Sequence, residues 1–500
     1  MQQDINSKIN QATKWSGIAE ISAKLISPIV NMVLARLLTP EAFGVIATIT
    51  MVITFAEVFT DAGFQKYIVQ HEFRDENELN RSTNVAFWTN FIFSIAICVG
   101  IFFFREPIAQ LVGSPGLGNS ISIASLLIVV AAFSSIQMAR YKRAFDFKTL
   151  FYARVGTAMI PLIITVPLAF WLKNYWALLI GNFASQVFNA VILTVKSKWK
   201  PQFYYSFKLL KEMFSFTAWT LLESISIWLT NYIGIFIVGG YLDEYYLGIY
   251  KTSMSTITSY LGIITGAITP VLFAALSRYQ NDEPNFRKTF LSFQRSASVL
   301  VLPMGVGIFL FSDLITDILL GSQWTEASGF VGMWGLTGAF SIIFANLSSE
   351  VFRSKGHPKL SLLLQVLHLV IIIPVLLIAV RYDFRTLYMA RSLVRIQFIL
   401  TALLIMRLKY KFYILEAIKN VLPMVLSTAV MGVVGFALER ISDNRFWQLG
   451  AVMVCIVVYC VILLGCFPKV RKELLDTKYG RKIQKTFKKW GGSSGADTQH

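Results

Sequence analysis

The chain has 500 residues, of which 55% are hydrophobic and 15% charged, with a mean hydropathy of +0.59 and a formal charge of +18. Apolar runs near 20 residues recur along it, which excludes a soluble domain, and they are continuous rather than alternating, which excludes a transmembrane β-barrel. In a soluble protein the charge would point to nucleic acid; here most cations lie between apolar runs, so the charge reads as membrane topology and no nucleic-acid partner is expected.

The N-terminus is polar up to Trp15 and has no cleavage site of small residues, so the first span itself is expected to direct insertion. That span, Ser16 to Leu37, and the next, Ala42 to Phe64, read as a hairpin. Its turn has Thr39 as N-cap, Pro40 at the first helical position and Glu41 at the positive end of the dipole. Glu20, Lys24, Ser27 and Asn31 share one face of the first helix. Thr50, Thr54, Glu57 and Asp61 share one face of the second. Ionisable groups at this depth are costly unless they face protein or water. A Lys24–Glu57 or Lys24–Glu20 pair would lower the cost. It would either only fix hairpin packing or leave a cationic point in a central cavity that attracts an anionic head group. Asp61, nearer the surface, reads equally as a solvated group.

Twelve more spans are expected, at roughly 83–104, 117–139, 151–172, 175–195, 214–238, 246–271, 290–311, 329–350, 360–380, 386–406, 414–438 and 446–467. Of the 46 Lys and Arg residues, 35 fall on one alternating set of loops and 8 on the other, while Lys24, Arg391 and Arg395 lie inside spans. Arg154, close to the start of the fifth span, is counted with the loops. The asymmetry puts both termini in the cytoplasm and supports an even number of spans.

A short repeat adds a symmetry. Leu38-Thr39-Pro40-Glu41-Ala42-Phe43-Gly44-Val45 follows the first span, and Leu242-Asp243-Glu244-Tyr245-Tyr246-Leu247-Gly248-Ile249 follows the seventh, 204 residues later. Six spans separate the copies, so both have the same orientation. The predicted fold is an all-α polytopic membrane protein of about 14 transmembrane helices: two six-helix lobes in parallel repeat plus two extra C-terminal helices. The expected divisions are 1–200 for the first lobe, 201–412 for the second, 413–468 for the extra helices and 469–500 for a basic cytoplasmic tail. That tail, from Pro468 to Trp490, reads either as a loosely amphipathic helix on anionic lipid or as a solvated segment.

Further polar residues mark the later spans. Glu223 and Asn231 lie in the seventh; Glu223 either pairs with Lys24 across the lobes or carries a coupling proton. In the eighth, Thr252, Ser255, Ser259, Gly262, Gly266 and Thr269 form a small-residue stripe, read as close packing or a cavity wall. Arg391 and Arg395 lie one turn apart in the twelfth span, and a snorkelling reading suits Arg391. His368 in the eleventh reads as a packing or a proton-linked histidine. Glu350 and Arg353 read as an intrahelical pair. The four cysteines show no metal or redox spacing, and no nucleotide loop, catalytic triad or paired carboxylate motif appears. No cofactor, metal or catalytic residue is expected.

The segment Ala35-Arg36-Leu37-Leu38-Thr39-Pro40-Glu41-Ala42-Phe43-Gly44 with Phe59-Thr60-Asp61-Ala62-Gly63-Phe64 resembles the first hairpin of Wzx-type polysaccharide flippases. Phe145-Asp146-Phe147-Lys148 and Leu320-Gly321-Ser322-Gln323-Trp324 fit that family too. These proteins belong to the multidrug/oligosaccharidyl-lipid/polysaccharide exporter superfamily. The resemblance implies a transporter, not an enzyme. It would flip an undecaprenyl-pyrophosphate-linked oligosaccharide from the inner to the outer leaflet of a bacterial inner membrane. Alternating access would be coupled to an ion gradient or to membrane potential. The implied partners are the lipid-linked oligosaccharide, membrane lipids, a polysaccharide polymerase and chain-length proteins. The expected cavity residues are Lys24, Glu20, Asn31, Glu57, Glu223, Asn231, Arg391 and Arg395, with Glu57, Asp61, Glu223 and His368 as coupling candidates. The related lipid II flippases have several arginines in the first-lobe cavity, where only Lys24 is evident here. The alternatives are a cation-coupled multidrug exporter of the same superfamily and a membrane polysaccharide polymerase or ligase.

Overall fold

The computed structural model describes residues 25–61, 64–144 and 146–475, with Trp15, Ile18, Ser22 and Ala23. Among these residues there are thirteen helices long and apolar enough to cross a membrane, and the shorter apolar helix Leu25–Leu37 precedes them. The expected count of about fourteen is borne out, as is the multi-pass membrane class.

In chain order the helices are α1 (Leu25–Leu37), α2 (Pro40–Asp61), α3 (Phe64–Gln70), α4 (Glu76–Phe103), α5 (Arg105–Leu111), α6 (Gly118–Arg143), α7 (Phe147–Ile160), α8 (Val166–Leu172) and α9 (Tyr175–Lys196) in the first lobe. The second lobe has α10 (Phe207–Tyr241), α11 (Glu244–Arg278), α12 (Glu283–Leu310), α13 (Ser312–Leu319), α14 (Ser328–Ser341), α15 (Leu347–Ser354), α16 (Pro358–Ala379) and α17 (Phe384–Tyr410). The extra pair, α18 (Ile414–Glu439) and α19 (Arg445–Cys466), packs on α12, and α20 (Pro468–Leu475) follows. A π turn at Pro161–Thr165 joins α7 to α8, and another at Ile342–Asn346 joins α14 to α15, so each pair makes one span.

Side-chain caps fix most of these starts. Asp75, Asp146, Asn174, Ser206, Asp243, Asp282, Asp383 and Asn444 each accept a hydrogen bond from a backbone N–H in the following turn. Several helices therefore begin earlier than hydropathy suggests: α4 starts at Glu76 rather than near 83, and α7 at Phe147 rather than 151. Both α10 and α11 run for 35 residues, longer than a bilayer requires.

The connections 71–75, 197–206, 279–282, 355–357 and 411–413, with Ala144 and Asp146, lie at one end of the bundle, here the basic end. The turns at 38–39, 173–174, 242–243, 320–321, 381–383 and 440–444 lie at the far end. There the two copies of the repeat meet. A Cβ on Gly44 would collide with the Glu244 carbonyl, and a Cβ on Gly248 would collide with the Pro40 carbonyl. Each glycine thus receives the carbonyl of the first residue of the opposite helix, and the two contacts are related by the same 204-residue offset. A reciprocal contact of this kind is what a two-fold axis along the helices produces. It brings α2 and α11 together at backbone distance, as small residues allow in membranes.

Candidate functional site: a cationic cavity between the lobes

The last turn of a helix leaves carbonyls without helical donors. At the end of α1, two of them take donors from the other lobe. Gln323 donates through Nε2 to the Ala35 carbonyl at 2.6 Å and to the Leu38 carbonyl at 2.7 Å, and the Trp324 indole donates to Ala35 at 2.7 Å. In return Arg36 donates to the Ile318 carbonyl at 2.7 Å. Trp324 is fully buried, with Phe43 edge-on at 5.3 Å. The turn that presents these side chains starts at Gly321, whose φ of 102° suits glycine; a Cβ there would also press on Arg36. The far end of the interface is therefore interlocked.

Towards the basic end the lobes separate around a cavity of about 470 Å³. Ser27 and Pro28 of α1, Arg154 of α7, the Thr258–Thr265 stretch of α11, Ser341 and Asn346 beside the second π turn, and Arg395 of α17 line it. The small residues of α11 thus form a cavity wall here, while Gly248 of the same helix serves close packing. Such π turns often mark functional segments.

Arg395 is held rather than free to swing. Its Nη1 donates to the Trp334 carbonyl at 2.9 Å, its guanidinium lies 3.1 Å from the centre of the Trp334 ring, and that indole donates to Thr258 at 3.1 Å. Gly338 leaves room for it, since a Cβ there would lie 2.9 Å from Nη1. One turn earlier, Arg391 donates through Nε to the Tyr250 hydroxyl at 3.1 Å and lies 5.0 Å from the same Trp334 ring. Arg391 is buried, so it does not snorkel: the phenol and the ring face accept it within the bundle. Among the described residues no carboxylate pairs with either arginine, and no Asp or Glu lines the cavity. A fixed guanidinium facing water-sized space inside a membrane protein is a host for an anion.

The family described as "Polysaccharide biosynthesis protein" matches residues 33–329, more than half of the chain. The chain belongs to that family. It is 24% identical to the succinoglycan biosynthesis transport protein ExoT of Rhizobium meliloti (strain 1021), over 67% of this chain and 68% of ExoT. It is 21% identical to the lipopolysaccharide biosynthesis protein WzxC of Escherichia coli (strain K12), over 72% of this chain and 70% of WzxC. Among solved structures, the lipid II flippase MurJ in an inward closed conformation is similar with a TM-score of 0.72 at 15% identity, covering 92% of this chain and 99% of that one. At that identity the likeness is one of fold. The expected resemblance to polysaccharide flippases and the all-α membrane fold class are both borne out.

The residues singled out in the sequence disperse. Lys24 and Glu20 lie outside the described residues, as do the side chains of Asp61 and Glu223. Asn31 is half-buried on α1 and Asn231 is exposed on α10, and neither is among the residues lining the cavity. Glu57 faces a different cavity, within the first lobe. His368 is buried, bonded through Nδ1 to Gln397 at 3.1 Å and set against Phe398. Glu350 and Arg353 form their i,i+3 pair at 3.1 Å. The inter-lobe cavity also holds a cation that the sequence reading counts with the loops, at the start of the fifth span. Arg154 sits about two turns into α7 because Asp146 caps that helix, accepting from the Thr149 N–H at 3.1 Å and its hydroxyl at 2.7 Å. The Asp146-x-x-Thr149 spacing is the signal that gives the earlier helix start.

Proposed function

We propose that this protein flips an undecaprenyl-pyrophosphate-linked oligosaccharide from the cytoplasmic to the periplasmic leaflet of a bacterial inner membrane, for surface polysaccharide synthesis. The observation that carries the reading is the cavity between the lobes: a fixed Arg395, with Arg154 on the facing lobe, and with no carboxylate in the described lining. A pyrophosphate needs a cationic host in a low-dielectric setting, where attraction is strong. Lys24, which precedes α1 in the chain, belongs to the same substrate site in this reading. The far-end interlock closes the path to the periplasm, and the basic end faces the cytoplasm with both termini. Transport then alternates between this arrangement and one in which the interlock opens. The driving force is an ion gradient or the membrane potential, with Glu57, Asp61, Glu223 and His368 as the groups that respond. The released repeat unit passes to a polymerase and its chain-length proteins, and this chain does no bond chemistry of its own.

A cation-coupled drug exporter would need carboxylates where the described lining has arginines. A polymerase or ligase would want a long periplasmic loop carrying arginines; the longest far-end connections are folded into α5 and α13, and the latter's end is bolted to α1. The test is genetic. Deletion of the gene should trap single repeat units on the cytoplasmic face. Wild type should rescue export and Arg395→Ala should not, at equal protein level. Removing the charge-assisted hydrogen bonds to one anion corresponds to roughly a 10- to 100-fold fall in flux. Normal export by Arg395→Ala would reject the cationic site, and repeat units appearing outside in the deletion strain would reject the flippase reading.

A further inference from the structure

A second cavity, of about 440 Å³, lies inside the first lobe, walled by α2, α3, α4, α6 and α9 with Ser224 of α10. Its chemistry differs from that of the inter-lobe cavity. No Lys or Arg is in its described lining. It presents Glu57, the amides of Gln65, Asn90, Gln186 and Asn189, and hydroxyls from α2, α6 and α10. Only part of this polarity is used within the protein. Gln65 donates to Ser135 at 3.0 Å and accepts from Lys142 at 3.4 Å. Asn90 accepts a long bond from Ser94 at 3.5 Å and gives its Oδ1 no closer side-chain partner on its own helix. The side-chain amides of Gln186 and Asn189, one turn apart on one face of α9, make no hydrogen bond to any described residue.

Amides without partners are costly inside a membrane protein, where an apolar core would fill the same space. What they offer is donor and acceptor together, the pattern that matches vicinal sugar hydroxyls, which also donate and accept. An anion would meet Glu57, and the described lining holds no Lys or Arg. An apolar tail would leave the amides of Gln186 and Asn189 unsatisfied.

The placement is informative as well. Asn189 lies about two turns from the basic end of α9, and Arg154 about two turns from the basic end of α7. The two helices pack against one another, so the amide wall and the cationic wall lie at one depth, on axes about 8–10 Å apart. In a lipid-linked oligosaccharide the sugars follow directly on the pyrophosphate, so a sugar site belongs at that level.

We propose that the first-lobe cavity is the glycan subsite: Asn90, Gln186 and Asn189 bind neutral sugar hydroxyls while the inter-lobe cavity holds the pyrophosphate. This rests on the reading that the substrate is a lipid-linked oligosaccharide. The test uses the purified full-length protein in proteoliposomes with two probes. One is the lipid-linked repeat unit extracted from a strain lacking the gene; the other is the same polyprenyl pyrophosphate carrying only the first sugar. Gln186→Ala/Asn189→Ala should slow flipping of the full repeat unit roughly fivefold to tenfold per amide and raise the ratio of single-sugar to full-repeat rates at least tenfold. Asn90→Ala, on the facing wall, is read in parallel and should shift the ratio the same way, and a gain in either pair supports the subsite. Equal loss on both probes in both variants, or no loss at all, overturns it. Wild-type protein that flips neither probe overturns the underlying reading instead.

Discussion

The two ends of the interface between the lobes are built on opposite principles. At the far end, backbone meets backbone: Gly44 and Gly248 take the carbonyls of Glu244 and Pro40, and the open carbonyls of α1 are capped by Gln323 and Trp324 from the other lobe. At the basic end, side chains that bond water or an anion face a cavity, and Arg395 is propped on Trp334. A contact that completes a helix's hydrogen bonds is nearly all-or-none, because those carbonyls have few other donors in a membrane. A cavity lined by hydroxyls and guanidinium tolerates partial occupancy. The far end therefore behaves as a latch and the basic end as a vestibule. This pairing suits alternating access, since a latch made of discrete bonds has two states rather than a continuum.

The contrast is broken most severely at the glycines. Gly248→Leu places a side chain against the Pro40 carbonyl, which belongs to backbone and cannot rotate away. Overpacking of this kind costs about 1–3 kcal/mol or more, enough to unseat the latch. With spin labels at Glu41→Cys and Tyr241→Cys, both exposed, the inter-lobe distance distribution should shift to longer values and export should fall at least tenfold. An unchanged distribution would mean that the glycine contact is not what holds the lobes. Gln323→Ala is the next step down. It removes two donors at once, from Ala35 and Leu38, at a cost of roughly 1 kcal/mol each. The same labels should report a mixed population. A single closed population identical to wild type would assign the latch to the glycines alone.

The architecture is largely legible in the sequence because its signals are strong and local. Apolar runs set the spans, the alternation of basic loops sets their parity, and the match between residues 38–45 and 242–249 foretells an axis whose contact the structure makes explicit. The site is less legible, for three physical reasons. Helix starts depend on caps, so Arg154 is counted with the loops although Asp146 carries α7 back far enough to place it about two turns into the helix, in the lining of the inter-lobe cavity. Arginine partners come from other helices: nothing in the chain order links Arg391 to Tyr250 or Arg395 to Trp334. Finally, polar residues isolated in apolar spans look alike until packed. Asn189 lines a cavity, while Asn31, equally plain in sequence, lines neither the inter-lobe nor the first-lobe cavity. The segment Leu320-Gly321-Ser322-Gln323-Trp324 is the instructive intermediate. It is recognisable as a motif, but its work as the cap of α1 is visible only in three dimensions.

The finest probe of the latch is Trp324→Phe. Phenylalanine keeps the ring that meets Phe43 and fills most of the same buried volume, and it removes only the indole N–H. The Ala35 carbonyl then still receives Gln323, so the closed state should lose about 1 kcal/mol or less, up to fivefold in the closed-to-open ratio. The informative comparison is with Trp324→Phe/Gln323→Ala. Both donors of the Ala35 carbonyl are then gone, and the cost should exceed the sum of the single effects by about 1–3 kcal/mol, the desolvation cost of a buried carbonyl left open. Labels at Glu41→Cys and Tyr241→Cys measure all three populations on one scale. Strict additivity would show that the Ala35 carbonyl finds another donor when the latch loosens. The far end would then be held by shape, through Gly44 and Gly248, rather than by the capping of α1.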